Sequence, residues 1–284
     1  MSGSGNNSGE FRMPASPAIA FEPSCRPGAQ ATPLSWSFAF AEGQLLLPEG
    51  GDALEPGPMI DGDVRHYLGR LEGLDAWALR VAAAPPGWRR ISLRTAMMAM
   101  PAPQMAVAAR AAQVLEWDRA HRFCGVCGTA TEHVAHERAR RCPACQHVAY
   151  PRVTPAMMVL VWRPGEVLLA RAPHFTPGMY SALAGFVEAG ETLEQCVERE
   201  TAEEVGVRIA ELRYYGSQSW PFPHSLMVAF TARWIGGEIV PQPGEIEHAQ
   251  WYPLDALPGI PPRFSISGHL IRDTVALLAA GREP

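Results

Sequence analysis

The stretch from Gly185 to Val207, GFVEAGETLEQCVERETAEEVGV, constrains this chain more than any other. Gly185 and Gly190 bracket a loop. Thr192 with Gln195 offers a capping-box start and Gly206 a C-terminal stop, so a helix is expected from about Leu193 to Val205. At about 100° per residue, Leu193, Cys196 and Val197 share a side with Glu200, Glu203 and Glu204, while Glu194, Gln195, Glu198 and Ala202 point elsewhere. Three carboxylates on a partly apolar face repel one another unless cations hold them, and hard oxygen ligands suit Mg²⁺ or Mn²⁺. A solvated acidic face, with Arg199 among its i,i+4 partners, is the competing reading, and helix composition alone does not separate the two.

Spacing does separate them. Gly185, Glu191, Arg199, Glu200, Glu203, Glu204, Gly206 and Val207 follow Gly-x5-Glu-x7-Arg-Glu-U-x-Glu-Glu-x-Gly-U, where U is a bulky aliphatic residue. The segment resembles the Nudix box, with Thr201 as its one departure. Thr has nearly the shape of Val, but its hydroxyl makes the exchange less than neutral in a core. The resemblance implies a loop-helix-loop that binds divalent ions, which clamp a diphosphate while water attacks phosphorus. Metals neutralise the dense charge of a pyrophosphate, position the water and lower its pKa. By the same resemblance Glu200 and Glu204 are the main metal ligands, Glu203 is the adjacent ligand or base, and Arg199 orients Glu191.

Two further motifs narrow the family. Cys124/Cys127 in CGVC and Cys142/Cys145 in CPAC are separated by a polar stretch from Gly128 to Arg141. Four thiolates from two tight turns close a tetrahedral shell with no open position, the structural kind of zinc site. Disulfides or unligated cysteines are the alternatives, and paired spacing in a reducing compartment weighs against them. Residues Ser217 to Ser225 read SQSWPFPHS. Its prolines exclude a central strand, and its aromatics serve either as a core plug or as a platform for something flat.

SQSWPFPHS resembles SQPWPFPxS, the signature of the NADH pyrophosphatase branch of the Nudix hydrolases, with Ser219 in place of the first proline. YPRVTPAMMVLV, LAGFVEAGETLEQ, GEIEHAQWYPLDALP and the preceding cysteine pairs carry the likeness over about residues 120–284. It implies hydrolysis of the pyrophosphate of NAD(H) to NMN(H) and AMP, removal of NAD caps from RNA 5′ ends, and a homodimer. Residue by residue, it implies that the Ala184 carbonyl and Glu245 complete the Mg²⁺ or Mn²⁺ set with Glu200 and Glu204. Phe186 would stack on a base, and Glu137 and Tyr150 would contact the dinucleotide. Gln218, Ser219, Trp220, Pro221, Phe222, Pro223, His224 and Ser225 would line the nucleotide site. Ser267 stands near the base where relatives usually have Ala. Without the likeness, Tyr150 and Phe186 read as core aromatics and Glu245 as a surface charge. The rival functions are a Nudix hydrolase of ADP-ribose or a diadenosine polyphosphate, and a zinc-ribbon nucleotide sensor without turnover.

Net charge is −5 over 284 residues, so no global basic field holds nucleic acid non-specifically. No apolar run approaches a membrane span, and MSGSGNNSGE lacks the basic head and apolar core of a secretory signal, which points to the cytoplasm. The expected organisation is a disordered tail (1–30), a small β-rich N-terminal domain (31–119), a zinc ribbon (120–149) and a Nudix domain (150–284). The expected fold class is α+β, a Nudix αβα sandwich preceded by the ribbon and the β-rich domain. Within the Nudix part, strands are expected at 156–162, 166–171, 180–186, 212–219, 225–234 and 247–253, and SGHLIRDTVALLAAG closes the chain as an amphipathic helix.

Overall fold

The computed structural model describes residues 21–30 and 32–284. It divides into two compact units, one ending at Val153 but including Ser219–Ser225, the other formed by Thr154–Gln218 and Leu226–Pro284.

The first unit holds the N-terminal domain and the ribbon. Strands β1 (Phe21–Pro23), β2 (Ser35–Ala41), β3 (Gln44–Pro48), β4 (Val64–Leu71), β5 (Leu74–Arg80) and β6 (Trp88–Ile91) form one sheet in the order β1-β4-β5-β2-β3-β6. Helices α1 (Leu93–Ala99) and α2 (Ala102–Ala120) follow, and α2 packs on β4 and β5. Every residue of SWSFAFA is buried, as befits a strand covered on both faces and paired in parallel with β5. The expectation of a tail to residue 30 is corrected here: Phe21–Pro23 pairs with β4, and residues 1–20 lie outside the described residues. β1 runs so close to Gly69 (φ +135°) that a Cβ there would lie 2.0 Å from the Glu22 carbonyl oxygen. Only glycine permits that approach, where β4 also bulges.

The ribbon strands β7 (Glu132–His133), β8 (Arg140–Arg141) and β9 (Val148–Ala149) make a three-stranded antiparallel sheet. The segment after β1 is tied to it: Arg26 Nε donates to the Ala135 carbonyl at 3.0 Å, and Arg138 Nη2 donates to the Ser24 and Tyr67 carbonyls.

The second unit is the αβα sandwich expected from the sequence. Its strands β10 (Thr154–Arg163), β11 (Glu166–Arg171), β12 (Leu183–Phe186), β13 (Arg208–Trp220), β14 (Ser225–Gly236) and β15 (His248–Pro253) form a sheet ordered β13-β14-β10-β11-β15, with β12 also on β10. Helices α3 (Leu193–Val205) and α4 (Ile266–Ala279) cover its two faces. β10 explains how one strand serves both. Met157, Val159 and Val161 pack with Cys196, Val197 and Val205 of α3, while Met158, Leu160 and Trp162 pack with Ile266, Leu270 and Ile271 of α4. The strand expected at 180–186 is shorter: regular pairing covers Leu183–Phe186, and Ser181 makes only an isolated bridge to Ala170.

Candidate active site

The helix of the carboxylates has the bounds its caps predict. Thr192 accepts from the Gln195 amide, the Gln195 side chain accepts from the Thr192 amide, and Gly206 ends the helix at φ +72°. α3 buries Cys196, Val197, Thr201, Glu204 and Val205. Glu200 is half-buried, but Glu203 is exposed, so of the three carboxylates expected on the inward side only Glu200 and Glu204 turn in. The Glu203 side chain lies at the edge of the inward arc, where Arg199 Nη1 reaches it at 3.0 Å. Thr201 is fully buried and its hydroxyl has no partner, so the exchange leaves a real polar defect in the core.

Arg199 organises the loop before the helix. Its guanidinium takes Glu191 in a bidentate grip (2.7 and 2.9 Å), donates to the Phe186 carbonyl at 3.1 Å and lies 3.0 Å from Glu200. Glu191 also accepts from the Glu188 amide, and Arg199 above all holds its carboxyl down to about 2. Cys196, on the apolar side of the helix, packs beneath and directs its thiol to the same Phe186 carbonyl at 3.4 Å.

Glu204 has no such partner. One of its oxygens is buried without a hydrogen bond, and burial first, then the charges of Glu200 and Glu245, push its carboxyl up to about 8. Glu200 is raised too, again by burial first. The exposed Glu245 therefore belongs electrostatically to this cluster. Gly185 leaves room for it: a Cβ there would lie 2.0 Å from the Glu200 carboxyl carbon. Ala184, exposed beside Gly185, pairs with Met158 in the sheet. An orphaned, buried carboxylate oxygen among mutually repelling carboxylates fits a hard divalent cation.

The other expected site residues fall into three groups. Phe186 (58% exposed) and Tyr150 (57% exposed) are surface aromatics, not core ones, and the Tyr150 hydroxyl donates to Glu137 at 3.0 Å. SQSWPFPHS is not a core plug. Ser217–Trp220 ends the edge strand β13, Pro221–His224 turns, with a cis Phe222–Pro223 peptide, and the buried Ser225 opens β14. Trp220 and Phe222 stand edge to face at 5.1 Å, and the Arg94 guanidinium lies over both rings, at 5.3 and 4.3 Å. Ser219 donates to Gln113 at 3.1 Å. No sequence signal marks Arg94 or Gln113, which precede the motif by more than a hundred positions. The third group faces inward: both ends of the Gln218 amide are engaged, with the Phe264 carbonyl and the Ile266 amide, and Ser267 is buried with its hydroxyl 2.7 Å from that of Ser181.

The four ribbon sulfurs sit together, with Cys124–Cys145 and Cys127–Cys142 at 3.5 Å and Cys127–Cys145 at 3.6 Å. These gaps are far beyond a disulfide bond and match the edges of a tetrahedral zinc–thiolate site. Gly128 (φ +74°) and Gln146 (φ +63°) supply the left-handed residue that closes each knuckle. A structural zinc site is thus built into the ribbon.

Residues 119–150 match the NADH pyrophosphatase zinc ribbon domain, residues 152–273 the NUDIX domain, and residues 35–117 the NADH pyrophosphatase-like rudimentary NUDIX domain. The NAD-capped RNA hydrolase NudC of Chromobacterium violaceum is 55% identical over 212 residues, 73% of this chain and 79% of the relative. The NudC proteins of Pseudomonas aeruginosa (50% over 242 residues; 84% and 86%) and Deinococcus radiodurans (45% over 253; 87% and 90%) cover still more. The chain belongs to the NudC branch of the Nudix hydrolases. Its N-terminal sheet is therefore a second, rudimentary Nudix domain, and among its described residues there is no counterpart of the carboxylate helix α3. Among the described residues no helix of this Nudix hydrolase is long and apolar enough to cross a membrane.

Proposed function

We propose that this enzyme hydrolyses the central pyrophosphate bond of NAD(H), giving NMN(H) and AMP, and that it removes NAD caps from RNA 5′ ends. The observation that carries the reading is the buried, unpartnered Glu204 oxygen in a box whose Glu191 and Glu203 are both held by Arg199. Glu200, Glu204, Glu245 and the Ala184 carbonyl would hold Mg²⁺ or Mn²⁺. When bound, these ions neutralise the diphosphate charge and acidify the attacking water. Glu203, exposed and steadied by Arg199, is available to take a proton from that water. Arg199 fixes both Glu191 and the Phe186 carbonyl, holding the loop and the exposed Phe186 ring ready for a base to stack on. Incubation with NADH and Mn²⁺, followed by nucleotide separation, tests this: NMNH and AMP are expected, and their absence overturns it. ADP-ribose and diadenosine polyphosphates run in parallel are expected to give lower kcat/KM.

The aromatic tip supports the dinucleotide preference. Trp220→Ala removes one face of the Trp220–Phe222 pair and one ring under Arg94, so it is expected to raise KM for NADH about 10-fold or more, at ~1–3 kcal/mol per lost stacking contact. An unchanged KM would show that the pair does not read the substrate.

Metal binding is expected to be strongly pH-dependent. A carboxyl raised to about 8 makes the metal-free fold most stable when protonated, and that stability is lost as pH climbs from the ordinary value of 4.5 through 8. A divalent ion must expel this proton, so its affinity should fall roughly tenfold per pH unit below about 8. Calorimetry in buffers of different ionisation enthalpy measures the proton released.

We also propose a homodimer in the cytoplasm. Phe123 (68% exposed) and Tyr150 line one hollow of about 360 Å³ on the ribbon, and Val126 (69%) is a nearby bare apolar side chain. Light scattering tests the mass, and Phe123→Asp is expected to shift it to one chain.

A further inference from the structure

A second cluster of ligand-type side chains lies in the first unit, and the Nudix chemistry does not use it. His66 on β4, Asp118 near the end of α2 and His133 on β7 bring their polar atoms to one point. Asp118 Oδ1 is 3.1 Å from His133 Nε2 and 3.6 Å from His66 Nε2. Ligand atoms about 2.0–2.2 Å from a tetrahedral ion lie about 3.3–3.5 Å apart, so these spacings bracket what such an ion requires.

Two details suit a bound cation. His66 Nε2 is buried and has no hydrogen-bond partner, although a carboxylate oxygen lies within reach of an ion between them. His133 Nε2 accepts from Arg140 Nη1 at 2.8 Å, which makes it a lone-pair nitrogen facing the same carboxylate oxygen. Asp118 is otherwise served by Arg140 Nη1 at 2.5 Å and, at 3.9 Å, by Arg80. Arg140 is independently anchored, Nε to the Thr131 hydroxyl at 2.8 Å and Nη2 to the Thr131 carbonyl at 2.9 Å. The one nitrogen Nη1 thus contacts both His133 Nε2 and Asp118 Oδ1, so an ion bound to those atoms takes over its contacts, while Nε and Nη2 keep Arg140 held to Thr131. Trp117 stands 6.0 and 6.2 Å from the two imidazoles and fixes their walls. A cavity of about 230 Å³, lined by His66, His133, Tyr67, Trp77, Trp117 and Arg138 among others, gives the way in.

We propose that His66 Nε2, His133 Nε2 and Asp118 Oδ1 bind a second zinc-class divalent ion, with its remaining coordination position open to this aromatic-walled cavity. Two imidazoles and one carboxylate select such an ion over Mg²⁺, which prefers oxygen. The ion joins β4 and α2 of the rudimentary Nudix domain to β7 of the ribbon. It is distinct from the four-cysteine site, whose shell is closed by sulfur.

The test uses the full chain, dialysed against trace Zn²⁺ in excess Mg²⁺ so that the catalytic carboxylates stay on magnesium, with elemental analysis. Two zinc ions per chain are expected in the wild type and one in His133→Gln and in His66→Gln. Each variant keeps its thiolate-bound zinc as proof that the ribbon is folded. Losing one of three ligands should weaken the second ion by at least about 100-fold. With Co²⁺, the wild type minus His133→Gln difference spectrum should hold d–d bands without thiolate charge transfer. One zinc in the wild type, or two in both variants, overturns the proposal.

Discussion

Glu204→Gln is expected to lower kcat for NADH hydrolysis on the order of 10³-fold while the protein stays folded. The two amino acids have nearly the same shape, so the buried α3 face keeps its packing. What changes is charge: the carboxylate that burial and two neighbouring glutamates push up to about 8 is replaced by a neutral amide. Without divalent ions, ionising Glu204 above pH 8 costs folding free energy, so Glu204→Gln should melt higher than wild type at pH 9. With Mn²⁺ the order should reverse, because only the wild type gains the binding energy of the ion. Steady-state kinetics and thermal melts with and without Mn²⁺ check both halves. A variant with wild-type kcat would remove Glu204 from the reaction.

Gly185→Ala is the second large effect, and here activity and stability separate by design of the site. The added Cβ would lie 2.0 Å from the Glu200 carboxyl carbon, 2.1 Å from Oε1 and 2.5 Å from Cγ. The two nearest are the carboxyl end of a flexible side chain and the third is the Cγ that carries it, so the fold can yield by swinging Glu200 aside. A side-chain displacement of that kind should cost the fold no more than about 1 kcal/mol. The displaced carboxylate is the one beside Glu204, so kcat should fall about 100-fold or more. A denaturant midpoint near wild type together with the lost rate is the expected pair of results. Unchanged turnover would mean that Glu200 can work from another position.

What was legible in the sequence was what short-range rules govern. α3 begins and ends where the Thr192–Gln195 box and Gly206 say it must, since each cap is a contact within four residues. The double-faced β10 is written in its unbroken apolar run, MMVLVW. The metal-ready face was legible only in part, because helical angles place Glu203 near Glu200 and Glu204 but cannot tell that it lies at the rim. Contacts distant along the chain were hidden. Arg94 reaches Trp220 and Phe222 through the folding of an intervening domain, and Arg26 reaches Ala135 in the same way. Such pairs leave no periodic or spacing mark. The fate of residues 21–30 was missed for a related reason. Gly, Ser and Pro enrichment reads as disorder unless one knows that Gly69 has cleared a path for Phe21–Pro23.

The seven residues Ser219–Ser225 are encoded in the middle of the catalytic unit yet fold with the other one, where Ser219 meets Gln113 and Trp220 and Phe222 meet Arg94. This limits how such enzymes can be rearranged by recombination. A crossover near residue 153 would import a foreign N-terminal half while leaving its matching hairpin tip behind, stranding two aromatic rings. Swapping the halves between relatives should therefore yield soluble, active chimaeras only when those seven residues travel with the N-terminal half. In inheritance as in folding, the chain's modular boundary is interrupted.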